Sequence, residues 1–251
     1  MPDLPAFFAE LSRAARDVTL GAAVPTADNK AGEGSFDPVT ELDRAAERAL
    51  RALIEARFPE DGIEGEEYGL IRADARRRWL IDPIDGTRAL ICGLPSWTTL
   101  VALFEDGEPI VGMIDAPVLD EFAVGLPGTA MLNGRTLRTS GCATLAEARL
   151  STTDPFILGG GVDAFERIRH CVRVTRYGLD ALAYARLAAG SLDLVVENGL
   201  QRYDWGALLP VVRGAGGMVG NWRGGRDLSG GDLVAAATPA LFDQAVSLLN
   251  S

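Results

Sequence analysis

The stretch W-L-I-D-P-I-D-G-T, Trp79 to Thr87, decides how this chain is read. Trp79, Leu80 and Ile81 form the short apolar run of a buried strand. Asp82 is expected at the strand end, where Pro83, with its fixed φ and no N–H to donate, should turn the chain. That turn brings the carboxylates of Asp82 and Asp85 together. Gly86 and Thr87 then read as a helix start, where free N–H groups and the helix dipole favour an anion. Carboxylates beside an anion site repel its ligand unless a divalent cation lies between them. Two readings follow: a metal-and-phosphate site, or an Asp-Pro turn and helix cap of the kind found in many α/β proteins.

Around this stretch the composition is that of a globular protein. The 251 residues, 47% hydrophobic and 24% charged, suffice for one large domain or two modest ones. Lys+Arg 24 against Asp+Glu 35 leaves a net charge of −11, which argues against nucleic acid or an anionic membrane as partner. An anionic substrate would have to be drawn in by bound cations or local donors. His170 is the sole histidine and lies at an amphipathic helix end, so histidine-based triads and phosphohistidine chemistry would all rest on it. Cys92, Cys142 and Cys171 form no C-x-x-C pair, indicating neither a disulfide framework nor a zinc knuckle; reduced cysteines in a cytoplasmic protein are expected. The N-terminus lacks the pattern of a signal peptide, and no apolar run approaches membrane-spanning length.

Periodicity predicts an amphipathic helix from Leu4 to about Ala23, then a polar loop, A-D-N-K-A-G-E-G-S-F, carrying Lys30, the one lysine. Lys30 is either a solvated loop residue or a cation on a flap above an anionic substrate. A second helix opens at Asp37-Pro38-Val39-Thr40, with Thr40 to Asp43 resembling a capping box. The loop I-E-G-E-E-Y-G crowds Glu64, Glu66 and Glu67 together. Leu100 to Phe104, Pro109 to Asp115 and Glu121 to Gly125 read as an antiparallel meander. After a small, polar crossover from about Thr139 to Ala148, strands and helices alternate to the C-terminus. The first half (1–140) is therefore expected to be α+β and the second (141–251) α/β. Asp204 sits where a helix cap or first-turn acid is favoured, and Glu197 ends the preceding strand.

Taken together, G-E-E (Gly65 to Glu67), D-P-I-D-G-T (Asp82 to Thr87), Y-D-W-G-A-L from Tyr203 and G-A-G-G (Gly214 to Gly217) resemble the inositol monophosphatase family in order and spacing, across nearly the whole chain. Within that superfamily of magnesium-dependent phosphomonoesterases, D-N-K (Asp28 to Lys30), F-D-P-V-T (Phe36 to Thr40), T-R-Y-G-L-D (Thr175 to Asp180), L-D-L-V-V-E (Leu192 to Glu197) and L-P-V-V-R-G-A-G-G (Leu209 to Gly217) resemble the bacterial and plant-type histidinol-phosphate phosphatases. Departures at Leu179, Ala181, Leu182, Trp97-Thr98 and Gln201-Arg202 lie on the substrate side.

The resemblance implies a five-layer αβαβα sandwich with its site between the halves, two or three Mg²⁺ ions and a homodimer. Carried over by position, Glu66, Asp82 and the carbonyl of Ile84 would hold one ion, and Asp82, Asp85 and Asp204 a second; all-oxygen ligands favour magnesium over zinc. Glu66 and Thr87 would position the attacking water, Asp43 would accept the Thr87 hydroxyl proton, and the N–H groups of Gly86 and Thr87 would bind phosphate. Asp180 and Glu197 would face the leaving group. Two acids there suit a cationic amine or imidazole, so the expected reaction is hydrolysis of L-histidinol phosphate in histidine biosynthesis. The alternative is an inositol-1-monophosphatase-like hydrolase of another small phosphate ester. A catalytically silent sensor of a phosphorylated metabolite would need a broken set of acids, and the set is complete.

Overall fold

The computed structural model describes residues 3–23, 25–30 and 38–251. The expectations placed on Phe36, on Asp37 and on the loop beyond Lys30 lie outside them. Strands and helices are labelled in chain order. β1 (Asp28–Asn29) and β2 (Pro38–Val39) pair with each other. The larger sheet comprises β3 (Gly62–Gly65), β4 (Gly69–Ile71), β5 (Arg77–Asp85), β6 (Thr98–Glu105), β7 (Glu108–Ala116), β8 (Glu121–Leu126), β9 (Thr129–Leu132) and β10 (Arg135–Thr136), in the order β10-β9-β8-β7-β6-β5-β3-β4. The predicted meander is β6 to β8, antiparallel throughout; within the sheet β3 and β5 run parallel. The smaller sheet, β11 (Arg149–Thr152), β12 (Val174–Tyr177), β13 (Leu194–Glu197), β14 (Met218–Gly220) and β15 (Leu233–Ala236), has the order β12-β11-β13-β15-β14. It is parallel around β11 and antiparallel around β15.

The helices are α1 (Leu4–Thr19), α2 (Glu41–Arg57), α3 (Thr87–Ile91), α4 (Val162–Arg169), α5 (Leu182–Ala188), α6 (Arg202–Gly214) and α7 (Pro239–Leu249). Strand alternation sorts them into layers. On one face of the large sheet Trp79, Ile81, Val101 and Leu103 meet Phe8, Leu11, Leu50 and Ile54 of α1 and α2. On its other face Leu80, Ala102 and Phe104 meet α5 and α6, which also cover Val195 and Ala235 of the small sheet. Beyond that sheet, Leu194, Val196 and Val234 meet Phe165 of α4 and Phe242 of α7. The result is the expected αβαβα sandwich.

The middle layer fits because α6 lies backbone-close on the large sheet. A methyl group at Gly112 of β7 would come within 2.3 Å of the Ala207 carbonyl oxygen, and one at Gly125 of β8 within 2.2 Å of the Pro210 carbonyl carbon. Trp79 anchors the other face: wholly buried, it meets the rings of Phe7, Phe8 and Phe58 and donates its indole N–H to Asp61 Oδ2 at 2.8 Å.

Several boundaries differ from expectation. The strand does not turn at Pro83: β5 runs on to Asp85, with Asp82 opposite Leu100, Asp85 opposite Thr98, and a register shift between them. This bulge absorbs the proline's missing N–H, and Thr99 Oγ1 donates to the Pro83 carbonyl at 2.9 Å to hold it. α1 ends at Thr19 rather than near Ala23. Glu64 belongs to β3 and pairs with Arg78 and Arg202 instead of sitting in a solvated loop. α6 starts at Arg202, which puts Asp204 in its first turn, as expected.

Candidate active site

The C-terminal end of β5, the turn after β3 and the N-termini of α3 and α6 converge on a cavity of about 390 Å³. Glu66, Asp82, Ile84, Asp85, Gly86, Thr87, Asp180, Glu197 and Asp204 all line it. Asp43 lies just behind, at 1% exposure. The bulge points both β5 carboxylates to the cavity, and Gly86 at φ +81° lets the chain leave the strand and enter α3. Asp180, also at positive φ, brings its carboxylate against Gly86, where a β-carbon would lie 3.1 Å from Asp180 Oδ2.

Most of these acids are held by specific donors. Asp82 Oδ1 accepts the Ile84 N–H at 3.1 Å; Asp85 Oδ2 accepts the Ala181 N–H at 2.7 Å and the Thr98 hydroxyl at 3.2 Å. Asp204, third residue of α6, accepts the Gln201 N–H at 2.6 Å in a capping box. Asp43 completes the predicted box with Thr40, taking its N–H at 2.8 Å on Oδ2. Its Oδ1 lies 3.3 Å from Thr87 Oγ1, which is 3.1 Å from the Ile84 carbonyl oxygen. The single Thr87 hydroxyl proton therefore has two acceptors. Lys30 donates to Glu66 Oε1 at 2.9 Å and also to Glu67. Burial opposes the lysine's charge, but the bonds to Glu67 and Glu66 outweigh it and raise its pKa. Lys30 is thus exposed yet ion-paired with Glu66, which lines the cavity, and with Glu67.

Like charges dominate the interior. Burial, then repulsion by Glu66, Asp85 and Asp204, holds Asp82 well above the usual carboxylate range. Asp85 is raised by burial and then by Asp180, against the Ala181 N–H. Burial raises Asp180 to about 6, Arg88 opposing, and Glu197 to about 7 against hydrogen bonds from Thr153 and Tyr184. This excess of buried negative charge, presented on hard oxygen atoms, fits a divalent cation in charge and donor type. The acids are nonetheless spread around the cavity: among the described residues no three carboxylates, histidines or cysteines stand grouped as ligands of one ion.

Sequence reasoning missed the residues that hold these acids in place. Tyr184, wholly buried in α5, donates its hydroxyl to Glu197 Oε2 at 2.9 Å, and Thr153 gives N–H and O–H to Oε1 at 3.0 and 2.5 Å. Glu47, wholly buried in α2, accepts the Glu67 N–H at 2.7 Å and the Tyr68 N–H at 3.3 Å, fixing the turn that presents Glu66. A lone tyrosine in the alanine-rich run L-A-Y-A-R-L-A was the available hint for the first; nothing local marked the second.

The αβαβα sandwich that frames this acid-lined cavity is shared with solved inositol monophosphatases. Residues 6–251 match the inositol monophosphatase family. The bifunctional phosphatase IMPL2, chloroplastic, of Arabidopsis thaliana is 43% identical over 207 residues, which are 81% of this chain and 60% of that protein. The chain thus matches three-fifths of that relative's length. A histidinol-phosphatase of Mycobacterium tuberculosis is 36% identical, with 85% of each chain covered. A solved inositol monophosphatase from Zymomonas mobilis superposes over 100% of both chains with TM-score 0.88 at 38% identity. The chain belongs to the inositol monophosphatase family and is a phosphatase, of a family generally dependent on metal.

Proposed function

We propose that the protein hydrolyses L-histidinol phosphate to L-histidinol and phosphate, using Mg²⁺. The observation that carries this reading is the pair of acids beyond the phosphate position, Asp180 and Glu197, both lining the cavity. Tyr184 and Thr153 engage both oxygens of Glu197 yet leave lone pairs, so it can accept from an ammonium or imidazolium without moving. Such a cation would draw both acids back into the charged form, which is favourable electrostatic coupling that a neutral polyol cannot provide. The M. tuberculosis histidinol-phosphatase supports the same substrate.

In this proposal Glu66, Asp82, Asp85 and Asp204, with the Ile84 carbonyl, would hold magnesium, which supplies neutralising charge for the phosphate and an acidified water. Thr87, oriented by Asp43, positions that water together with Glu66. The N–H groups of Gly86 and Thr87, at the start of α3 and without intrahelical acceptors, bind phosphate oxygens. Lys30, bonded to Glu66 Oε1, would share that carboxylate with the cation.

The second reading, an inositol-phosphate hydrolase, draws on the burial that raises Glu197 to about 7: a carboxyl protonated part of the time is suited to a hydroxyl. Initial rates on histidinol phosphate and inositol 1-phosphate, with magnesium and with chelator, decide between them. Preference for the inositol ester removes the histidinol reading; equal rates in chelator remove the metal. A cytoplasmic homodimer, as expected from the family, belongs to the same proposal, and sedimentation velocity tests its stoichiometry.

A further inference from the structure

We infer that the cleft on the opposite side of α6 from the acid cavity is a second ligand site, which takes a small organic anion bearing a carboxylate or phosphate head. This cleft measures about 560 Å³. α6 faces both ways: Tyr203, Asp204 and Leu208 line the first cavity, while Arg202, Trp205, Leu209 and Arg213, spaced by three and four, line the second. Arg213 lies nine residues along the helix from Asp204, or roughly 14 Å, so the arginine end of the second cleft stands apart from the acids of the first.

The chemistry is set by Arg213 and Arg226. Both line the cleft, and among the described residues neither makes a hydrogen bond or ion pair. Partial burial holds the Arg213 guanidinium below its ordinary pKa; Glu108 opposes this and Arg226 adds to it. In a chain of net charge −11, these two neighbouring guanidiniums, which share the cleft with Glu108 and Asp227 and make no hydrogen bond or ion pair among the described residues, offer an anion a pair of charged donors. An anion placed against both relieves their repulsion, and the planar fork of each suits a carboxylate or phosphate. Trp205 and Leu209 supply an apolar wall for the rest of the ligand, which a bare inorganic ion would leave uncovered.

The cleft is also coupled to the reaction. Gly199, Leu200 and Gln201 line both cavities, and Gln201 caps α6 through its N–H on Asp204. An occupant therefore bears on the segment that orients an acid of the active site.

The test is calorimetric titration of the magnesium-loaded protein with phenylacetate and phenylphosphonate, in wild type and in Arg213→Gln/Arg226→Gln. Neither arginine belongs to the buried core, so the double variant should keep the wild-type circular dichroism spectrum. Arg226→Gln alone, in a loop, provides a milder version. Phenylacetate should bind wild type with a millimolar Kd and the double variant at least about tenfold more weakly, while hydrolysis without probe stays within about twofold. Phenylphosphonate should show two sites in wild type and one in the double variant, distinguishing the second cleft from the phosphate position. Saturating phenylacetate should change kcat or KM in wild type only. Equal phenylacetate affinity in both proteins, or no binding below about 10 mM, overturns the site. Binding that leaves kcat and KM unchanged overturns the coupling.

Discussion

Glu47→Ala is the sharpest test of how the site is held. The residue is fully buried on α2 and never touches the cavity, yet its carboxylate gathers the Arg51 guanidinium at 2.7 Å and the N–H groups of Glu67 and Tyr68. Gly65, just before Glu66, is packed so tightly on it that a β-carbon would fall 1.9 Å from Glu47 Oε1. Truncation leaves two backbone donors and a guanidinium, 11% exposed on its side chain, without their acceptor. Removing one member of a buried ion pair costs ~3–5 kcal/mol. Arg51 keeps its bond to the Gly69 carbonyl, which places the cost at the low end, about 3 kcal/mol.

For a domain of this size, ~2–4 °C per kcal/mol converts that to a fall in Tm of roughly 6–12 °C. The assay is calorimetric unfolding of chelator-treated protein, with Glu55→Ala as control: on the same helix, it pairs with Arg72 at the surface at 3.4 Å and should cost less than about 1 kcal/mol. Because Glu47 acts on Glu66 through the turn, the magnesium concentration for half-maximal hydrolysis should also rise, by ~10-fold or more. A Glu47→Ala Tm within about 2 °C of wild type, or no larger drop than for Glu55→Ala, would refute the reasoning.

Three further outcomes follow from the same geometry. Asp82→Asn should reduce hydrolysis by at least ~10²-fold yet raise the Tm of metal-free protein, because it removes one of several buried, mutually repelling carboxylates; a lowered Tm counts against the electrostatic account. Glu197 and Asp180, at about 7 and about 6 when folded, bind protons that the unfolded chain has already released, so their stabilising contribution is complete at low pH and lost as pH rises through those values. The Tm advantage of metal-free Glu197→Gln over wild type should therefore grow from pH 4.5 to 7 and level off above it; a flat difference rejects the raised value. Gly125→Ala should destabilise by ~1–3 kcal/mol or more in urea unfolding, since α6 cannot retreat from the sheet, whereas Gly141→Ala, with open space around it, should be near neutral.

What the chain disclosed on reading was contiguous. D-P-I-D-G-T places two acids, a bulge and a helix start within a few residues, and the capping box at Thr40 to Asp43 is written in consecutive positions. The layers were legible because period-two strands and period-three-to-four helices alternate cleanly, and the family resemblance supplied the order of stacking. The continuation of β5 through Pro83 was not legible, because a proline reads as a stop unless the partner strand supplies a bulge. Glu47 and Tyr184 were hidden for another reason: each meets its acidic segment only after folding, and each looks like an ordinary helix residue in its own window. The lining acids repel one another, so the surrounding fold must confine them. That confinement comes from residues outside the motifs: the indole of Trp79 fixing β5 against α1 and α2, the glycines that let α6 press Asp204 toward the large sheet, and Glu47 gripping the turn. Short motifs therefore disclose where charge gathers, while the groups that keep it gathered are dispersed through the core, and it is at those dispersed positions that substitutions should weaken site and fold together.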